Sequence, residues 1–265
     1  ASAERVERLS AQDQVDFRHG TYLWDPVLAE AVRSALRLGM RLIPYEQRND
    51  QRTSATGRQR MEAREVAQAE NLAKVLSKLP EARVIVYVGY SHIRETPDSH
   101  GMLWLSRRLH TLSGIDPLTI AQASTGSFGP HAADSLLTQT VLAKFPRRGS
   151  IVVRSDATVV GAAVEGADLA VFHPNLKDVA TRPGWLAASS KRKRVEVRLE
   201  TAVKDRLVLA QALHARDADP AIPADQYLAP PDLSSLVFFL RPGVYRIRLE
   251  FESGFETVPA QISVS

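Results

Sequence analysis

The stretch that decides the predicted fold is residues 83–95, which read Arg-Val-Ile-Val-Tyr-Val-Gly-Tyr-Ser-His-Ile-Arg-Glu. Val84 to Val88 form an apolar run of strand length without a polar break, which is typical of a strand covered on both faces. The run ends at Gly89, and His92 follows three residues later. Ligands collect beyond the carboxyl ends of parallel strands. His92 is therefore either a ligand or general base at a strand end, or a histidine in an ordinary loop.

Two further elements precede this run. Residues 25–39 begin with an Asp-Pro pair suited to a helix N-terminus and end at a glycine, so they predict a helix. Residues 40–46 read as a short strand that ends at Glu46, and residues 58–79 predict the longest helix. This alternation of helix and strand indicates an α/β domain.

The helix predicted at residues 58–79 has one polar face beside its apolar stripe. Arg64, Gln68 and Asn71 fall within about 60° of one another at 3.6 residues per turn. Glu65 falls inside the edge of the apolar stripe, where a carboxylate is costly unless it is paired or faces a polar pocket. Two interpretations stay open, a paired Glu65 and a Glu65 that reaches water at the edge of the stripe.

The sequence pattern changes after about residue 145. Most segments beyond this point have the pattern of strands, and only residues 202–214 have the pattern of a helix. We therefore predict an α/β fold with a mainly parallel sheet flanked by helices, followed by a small antiparallel β-rich C-terminal module. The predicted domains are an N-terminal extension at residues 1–20, an α/β domain at 21–219 that is β-rich from about 150, and a β module at 220–265.

Composition excludes several classes of protein. Hydrophobic residues make up 44% and charged residues 24%, and the net charge of +4 mixes both signs, so we expect no nucleic-acid partner. No apolar run approaches the roughly 18–20 residues that cross a membrane. The absence of cysteine excludes disulfides, thiolate nucleophiles and cysteine-ligated zinc. The start Ala-Ser-Ala suggests a processed chain or a fragment, and we expect a periplasmic or secreted location over a cytoplasmic one.

Acidic and histidine side chains cluster around the predicted strand ends. The candidates for ligands or acid–base groups are Glu46, Glu65, His92, Glu95, Asp98 and His100. A histidine with carboxylates suits zinc or another divalent ion, which lowers the pKa of bound water. The chain has no His-Glu-x-x-His, no Gly-x-Ser-x-Gly and no Gly-x-Gly-x-x-Gly motif, so local spacing alone names no enzyme class.

A family resemblance adds to this evidence. Tyr45-Glu46, then Arg64-Glu65-x-x-Gln68-x-Glu70-Asn71, then the run into Gly89-Tyr90-Ser91-His92, resemble one half of a superfamily. Its members include the Tiki metalloproteases, the TraB proteins, the erythromycin esterases and the haem-uptake protein ChaN. The resemblance covers roughly residues 25–121. The family has two Gly-x-x-His motifs at strand ends, and residues 1–24 contain no first motif.

The resemblance implies a function for each matching residue. Gly89 and His92 match the second Gly-x-x-His, Glu46 the strand-end acid and Arg64 the helix arginine. It implies a divalent-metal-dependent hydrolase of an ester, lactone or peptide bond, with zinc or manganese held by His92, Glu46 and Glu65. In that enzyme His92 ligates the metal or acts as base, Glu46 activates water and Arg64 steadies an oxyanion or a substrate carboxylate.

Two other functions stay open at this point. In a haem- or ligand-binding protein of the ChaN type, Tyr90 or His92 would be the axial ligand and Gly89 would give room for it. In an inactive scaffold, the β module would bind a partner. The predicted partner in the first two cases is a small-molecule or peptide substrate or ligand, and the oligomeric state stays open.

Overall fold

The computed structural model describes residues 14–122, 136–146, 149–151, 166–174, 176–198, 207–228 and 235–265. These residues divide into two compact units. Unit 1 contains the described residues up to Pro44 together with Lys177–Ser265, and unit 2 contains those of Tyr45–Leu176. The boundaries of these two units differ from the predicted domain boundaries. A predicted domain is a part of the chain that folds independently, and a compact unit does not test this, so the domain boundaries stay predictions.

Five α-helices lie in the described part of the chain. They are α1 Pro26–Arg37, α2 Gly57–Lys78, α3 Leu105–Ser113, α4 Leu136–Lys144 and α5 Gly184–Ala188. Short 3₁₀ helices span Phe17–His19, Thr21–Trp24, Asn49–Gln51 and Tyr90–Ile93. The helices predicted at residues 25–39 and 58–79 are confirmed, and Asp25 caps α1 by accepting hydrogen bonds from the N–H groups of Val27 and Leu28. None of the helices in the described residues is long and apolar enough to cross a membrane.

The eight strands of the described residues pair mainly in antiparallel fashion. They are β1 Ile120–Ala121, β2 Leu169–Ala170, β3 Lys193–Arg198, β4 Leu207–His214, β5 Asp225–Leu228, β6 Ser235–Leu240, β7 Gly243–Phe251 and β8 Gly254–Val264. β1 pairs with β2 in parallel, β3 pairs with β6, and the order β5-β4-β7-β8 forms a four-stranded antiparallel sheet. The predicted mainly parallel sheet flanked by helices is therefore wrong.

The apolar run that carried this prediction belongs to no β-ladder of the described residues. Ile85 and Tyr87 are 79% and 72% exposed. Val86 and Val88 pack instead against a buried cluster that includes Leu72 of α2 and residues of α3. Only one face of the run is covered. The sequence could not show which faces are covered, because an apolar run without alternation is also typical of a strand covered on both faces.

The helix predicted at residues 202–214 is wrong where the structure describes it, because residues 207–214 form β4. Its alanine, leucine and glutamine residues favour a helix by intrinsic propensity. β4 lies between β5 and β7, however, so both of its edges are hydrogen-bonded. Its Ala210 and Ala212 are fully buried in the main core of unit 1, with Phe238 and Ile247. Hydrogen bonding to two neighbouring strands outweighs a helix propensity that is worth only about tenths of a kilocalorie per mole per residue.

Unit 1 also buries one carboxylate among cationic groups. Glu30 of α1 is 4% exposed. Its oxygens lie 2.5 Å from Arg37 Nη2, 3.4 Å from Arg241 Nε, 3.6 Å from His214 Nε2 and 3.9 Å from Arg33 Nη1. Burial would raise the pKa of Glu30, but hydrogen bonds and charge from His214 and Arg37 lower it to about 2. The carboxylate is therefore ionised at neutral pH, and it ties α1 to β4 and to the segment after β6.

Candidate functional site

The polar face of α2 is the base of the site in unit 2. Asn71 donates through Nδ2 to the carbonyl oxygens of Tyr45 and Glu46, at 3.1 and 3.2 Å, and its Oδ1 accepts from Arg48 at 2.7 Å. These bonds fasten the segment that carries Glu46 to the helix. The polar face that the sequence predicted at Arg64, Gln68 and Asn71 is confirmed, since all three side chains bond to residues 45–48.

Glu46 is held by charged and polar donors. Arg64 donates to both carboxylate oxygens, from Nε at 3.0 Å and from Nη2 at 2.5 Å. Gln68 and the backbone N–H of Gln47 donate to Oε1 at 3.0 and 2.7 Å. Burial would raise the pKa of Glu46, but these hydrogen bonds lower it to about 2. A carboxylate this weakly basic is a poor proton acceptor, so the geometry favours Glu46 as an anchor for Arg64.

The second pair of the site joins α2 to the Gly-x-x-His segment. Glu65 is fully buried, and its Oε2 lies 2.8 Å from His92 Nδ1. The same oxygen accepts a hydrogen bond of 2.9 Å from the backbone N–H of Leu105, the first residue of α3. The positive end of a helix dipole favours a negative charge at this position. Glu65 is therefore paired rather than turned to water, which decides between the two interpretations of the sequence.

Two buried acceptor atoms on the same face of α2 have no hydrogen-bond partner among the described residues. They are Glu65 Oε1 and Gln68 Oε1. Both residues are almost completely buried, at 0% and 2% exposure. Buried acceptors without partners are rare, and they are commonly satisfied by a water molecule or a ligand. The site therefore has hydrogen-bonding capacity left beyond the bonds that hold its own side chains.

His92 lies in the 3₁₀ helix Tyr90–Ile93 that follows the apolar run. Its backbone N–H donates to the carbonyl oxygen of Gly89 at 3.1 Å, and its ring meets the edge of Trp104 with centroids 5.8 Å apart. A Cβ atom at Gly89 would lie 3.4 Å from Cδ2 of the imidazole and 3.9 Å from Nε2. These are ordinary van der Waals distances, so position 89 lies directly against the imidazole. The side chain of Tyr90 lies outside the described structure.

The predicted metal ligands do not converge. Among the described residues, no group of three or more His, Asp or Glu side chains is placed to hold a metal ion. Glu46 is engaged by Arg64, and Glu65 by His92. A metal held by His92, Glu46 and Glu65 together does not fit this arrangement. The described part of the site offers one nitrogen ligand, Nε2 of an imidazole whose other nitrogen already faces a carboxylate.

The remaining candidates from the sequence have other environments. Asp98 accepts hydrogen bonds from the N–H groups of His100 and Met102, both at 2.9 Å, which lower its pKa, so it shapes a turn. The carbonyl oxygen of His100 accepts from Arg58. Glu95 bonds to Thr119 in a separate cluster. Sequence reasoning missed Trp104 and the N–H of Leu105, because no local pattern shows that the start of α3 faces His92.

An open groove of about 500 Å³ lies along α2. Its lining includes Gln51 and Thr53 from the loop before α2 and Ala67 from the helix, with Glu62 and Glu70 at exposed positions. Gln51 also donates to Asn71 at 3.1 Å. The groove is therefore connected to the hydrogen bonds that fasten Glu46, and a ligand in it would contact the same loop.

Comparisons with family models, with curated proteins and with solved structures found no match to this chain. The resemblance to the Tiki, TraB, ChaN and erythromycin esterase superfamily therefore rests on the residues quoted above. The divalent metal, the haem alternative and the periplasmic or secreted location likewise stay predictions.

Proposed function

We propose that this chain hydrolyses an ester, lactone or peptide bond, with His92 as the general base. The observation that supports the proposal is the bond between His92 Nδ1 and the fully buried carboxylate of Glu65, at 2.8 Å. A carboxylate on one ring nitrogen holds the proton there and leaves the lone pair on the other nitrogen. This is the arrangement that orients a histidine for proton transfer.

The reaction follows from that tautomer. Nε2 of His92 takes a proton from a water molecule while the water oxygen attacks the carbonyl carbon of the substrate. The imidazolium that forms is stabilised by the negative charge of Glu65, which water does not screen because the carboxylate is buried. The imidazolium then gives its proton to the leaving group as the carbon–heteroatom bond breaks.

Arg64 has the supporting role in this proposal. Its guanidinium donates two hydrogen bonds to the carboxylate of Glu46, and the side chain is 37% exposed. A guanidinium fixed in this way can stabilise an oxyanion or a substrate carboxylate without first losing rotamer freedom. No step of this mechanism requires a metal, because the described residues do not provide the predicted set of three ligands.

The test compares two histidines that each face a carboxylate. We expect His92→Ala to reduce hydrolysis by about 10²- to 10⁴-fold, the usual contribution of a general base. His110 is the matched control, because its Nδ1 lies 3.2 Å from Asp116 in a pair whose side chains are 40% and 73% exposed. His110→Ala should keep the wild-type rate. The measurement is initial rate on a panel of chromogenic esters, lactones and peptides.

The proposal fails if the wild-type protein hydrolyses no member of the panel, or if His92→Ala is as active as the wild type. A haem- or ligand-binding protein is the second candidate, and one observation favours it. The exposed Ile85 and Tyr87 precede the oriented His92 on the same segment, and a planar apolar ligand could lie against such side chains. A Soret band on titration with haem that disappears in His92→Ala would favour this candidate over the hydrolase.

A further inference from the structure

Residues 84–88 form a segment outside every β-ladder of the described residues, and no helix, turn or bend interrupts them. Exposure alternates from one residue to the next. Ile85 and Tyr87 are 79% and 72% exposed, whereas Val86 and Val88 pack against the buried cluster of α2 and α3. This alternation is that of an extended strand with one covered face. The segment therefore has the geometry of a strand, although no strand of the described residues pairs with it.

The main-chain groups of this segment make one hydrogen bond to the described residues. The hydroxyl of Tyr45 donates to the carbonyl oxygen of Tyr87 at 2.7 Å. The N–H groups of residues 84–88 donate to none of the described residues. Main-chain donors and acceptors are strong hydrogen-bonding groups, and nearly all of them are paired in folded proteins, either within the protein or with water. These five residues therefore keep almost all of their main-chain hydrogen-bonding capacity.

The hydrogen bond from Tyr45 distinguishes the two edges of the segment. In a strand, the main-chain groups of successive residues point to opposite edges. Those of Tyr87 point to the edge where the Tyr45 hydroxyl lies. The main-chain groups of three valines point to the opposite edge, which we call the open edge: Val84, Val86 and Val88.

The hydrogen-bonding pattern of the open edge determines which kind of partner fits it. N–H and C=O groups that follow one another at strand spacing are matched by a second extended backbone, and an unpaired edge is a template for one. A lipid surface offers no such row of groups, and a helix has already paired its own main chain. The exposed side chains beside the edge, Ile85 and Tyr87, favour apolar or β-branched neighbours on an added strand. The matching partner is therefore an extended peptide with an apolar face.

We propose that residues 84–88 bind an extended peptide segment of another protein as an added strand along the open edge. The core contacts of Val86 and Val88 hold the segment in place before the peptide arrives, so binding has to order the peptide only. The segment leads directly to Gly89, and His92 follows three residues later. Cleavage of the bound peptide rests on the proposed function, whereas its docking does not.

The direct test is amide hydrogen exchange of the full chain, with and without an acetylated and amidated peptide of alternating threonine and valine. Without the peptide, the amides of residues 84–88 should exchange fast, because they are unpaired. With the peptide, the amides of the three valines should become protected about tenfold or more, and those of Ile85 and Tyr87 should change little. Protection of every second amide is expected from strand pairing and not from contacts to side chains alone.

Two proline variants form a matched pair. Val84→Pro removes an N–H group of the open edge, and Ile85→Pro removes one from the edge beside Tyr45. Both positions are exposed, and neither N–H group bonds to a described residue. Calorimetry should show the affinity for the peptide falling about three- to tenfold in Val84→Pro, the effect of one lost hydrogen bond, and staying near the wild-type value in Ile85→Pro. The midpoint of denaturant unfolding checks that both variants are folded.

Changes in the peptide test the same edge without any variant of the protein. N-methylation of every second amide removes the N–H groups from one edge of the peptide, and methylation of the remaining amides removes them from the other edge. One of the two methylated peptides should lose about tenfold or more in affinity, because several hydrogen bonds are lost together. The other should bind like the unmethylated peptide.

The docking is refuted if the protection of residues 84–88 is absent or uniform at the highest peptide concentration, or if the two methylated peptides bind equally well. Alternating protection that appears without peptide and rises with protein concentration would also refute it, because a second copy of the chain would then occupy the open edge. Exchange and calorimetry require no turnover, so a chain that hydrolyses nothing can still bind the peptide. Hydrolysis of esters without peptide binding would refute the docking and keep the hydrolase.

Discussion

Each unit of this molecule buries one glutamate of a helix, and the two glutamates are held in opposite ways. Glu30 of unit 1 faces three guanidinium groups and the imidazole of His214. Among the described residues, Glu65 of unit 2 faces one imidazole and one backbone N–H. In both glutamates one carboxylate oxygen, Oε2 of Glu30 and Oε1 of Glu65, has no hydrogen-bond partner among these residues. The exposed fractions of the two residues, 4% and 0%, are nearly the same.

The difference separates a carboxylate held by several cationic groups, Glu30, from the carboxylate that the proposed mechanism uses, Glu65. Glu30 is surrounded by more positive charge than it carries, from Arg33, Arg37 and Arg241, and this charge holds it in the fold. Of these three groups, Arg33 also pairs with Asp217 at 3.2 Å. Glu65 has one side-chain partner, and this partner is bound through a single ring nitrogen. Among the described residues, no hydrogen bond reaches the other ring nitrogen of His92, Nε2, which the proposed mechanism uses. The number of cationic partners, rather than burial, separates the two roles.

The largest effect on stability is expected at Glu30. Glu30→Ala removes the buried anion that Arg37, Arg241 and His214 face, whereas Arg33 keeps its pair with Asp217. Breaking a buried ion pair from one side costs about 3–5 kcal/mol. Denaturant unfolding should show this loss as a lower midpoint. A loss below about 1 kcal/mol would contradict the structural role that the comparison gives to Glu30.

The loss of stability at acid pH should come largely from Glu30 as well. The pKa of Glu30 is about 2 in the folded protein, below its ordinary value of 4.5. Its contribution is therefore complete above pH 4.5 and is lost as pH falls toward about 2. The lost stability is on the order of 3 kcal/mol, since one pKa unit corresponds to about 1.4 kcal/mol. In thermal unfolding between pH 2 and 6, the melting temperature of Glu30→Gln should fall less steeply with decreasing pH than that of the wild type.

Glu65→Gln should change catalysis more than stability. The amide can keep a hydrogen bond to His92 and to Leu105 but carries no charge to stabilise an imidazolium. We expect kcat to fall about 10- to 100-fold with little change in KM, because the lost interaction acts in the transition state. The midpoint of denaturant unfolding should fall by less than it does in Glu30→Ala. The distinction between Glu30 and Glu65 would be contradicted if Glu65→Gln lowered the free energy of unfolding as much as Glu30→Ala and left kcat unchanged.

Local sequence signals predicted several elements that the structure confirms. The N-cap at Asp25 and the glycine after α1 set the limits of that helix, and helical periodicity located α2. The position of Glu65 inside the edge of an apolar stripe left two interpretations, a paired carboxylate and one that reaches water, and the structure pairs it with His92. These features depend on residues close in sequence, so one sequence is enough to show them.

The sheet could not be predicted in the same way. Residues 84–88 have the composition of a buried strand. A strand forms a β-ladder only if a second strand lies beside it, and the sequence of the run does not show whether one does. The alanine-rich residues 207–214 have the composition of a helix, and they form a strand because β5 and β7 supply hydrogen bonds on both edges. The contacts of Glu46 and Glu65 could not be predicted for the same reason, since they join different elements. The metal itself stays a prediction.

The sequence by itself determined the two long helices, the polar face of α2 and the position of Glu65 inside the edge of its apolar stripe. Each of these follows from backbone preference or from periodicity over a few turns. Only the tertiary structure decided that His92 is the partner of Glu65, that Arg64 holds Glu46, and that Glu95 and Asp168 share one hydroxyl. These contacts join residues 18 to 49 positions apart in the chain, and folding alone brings such residues together.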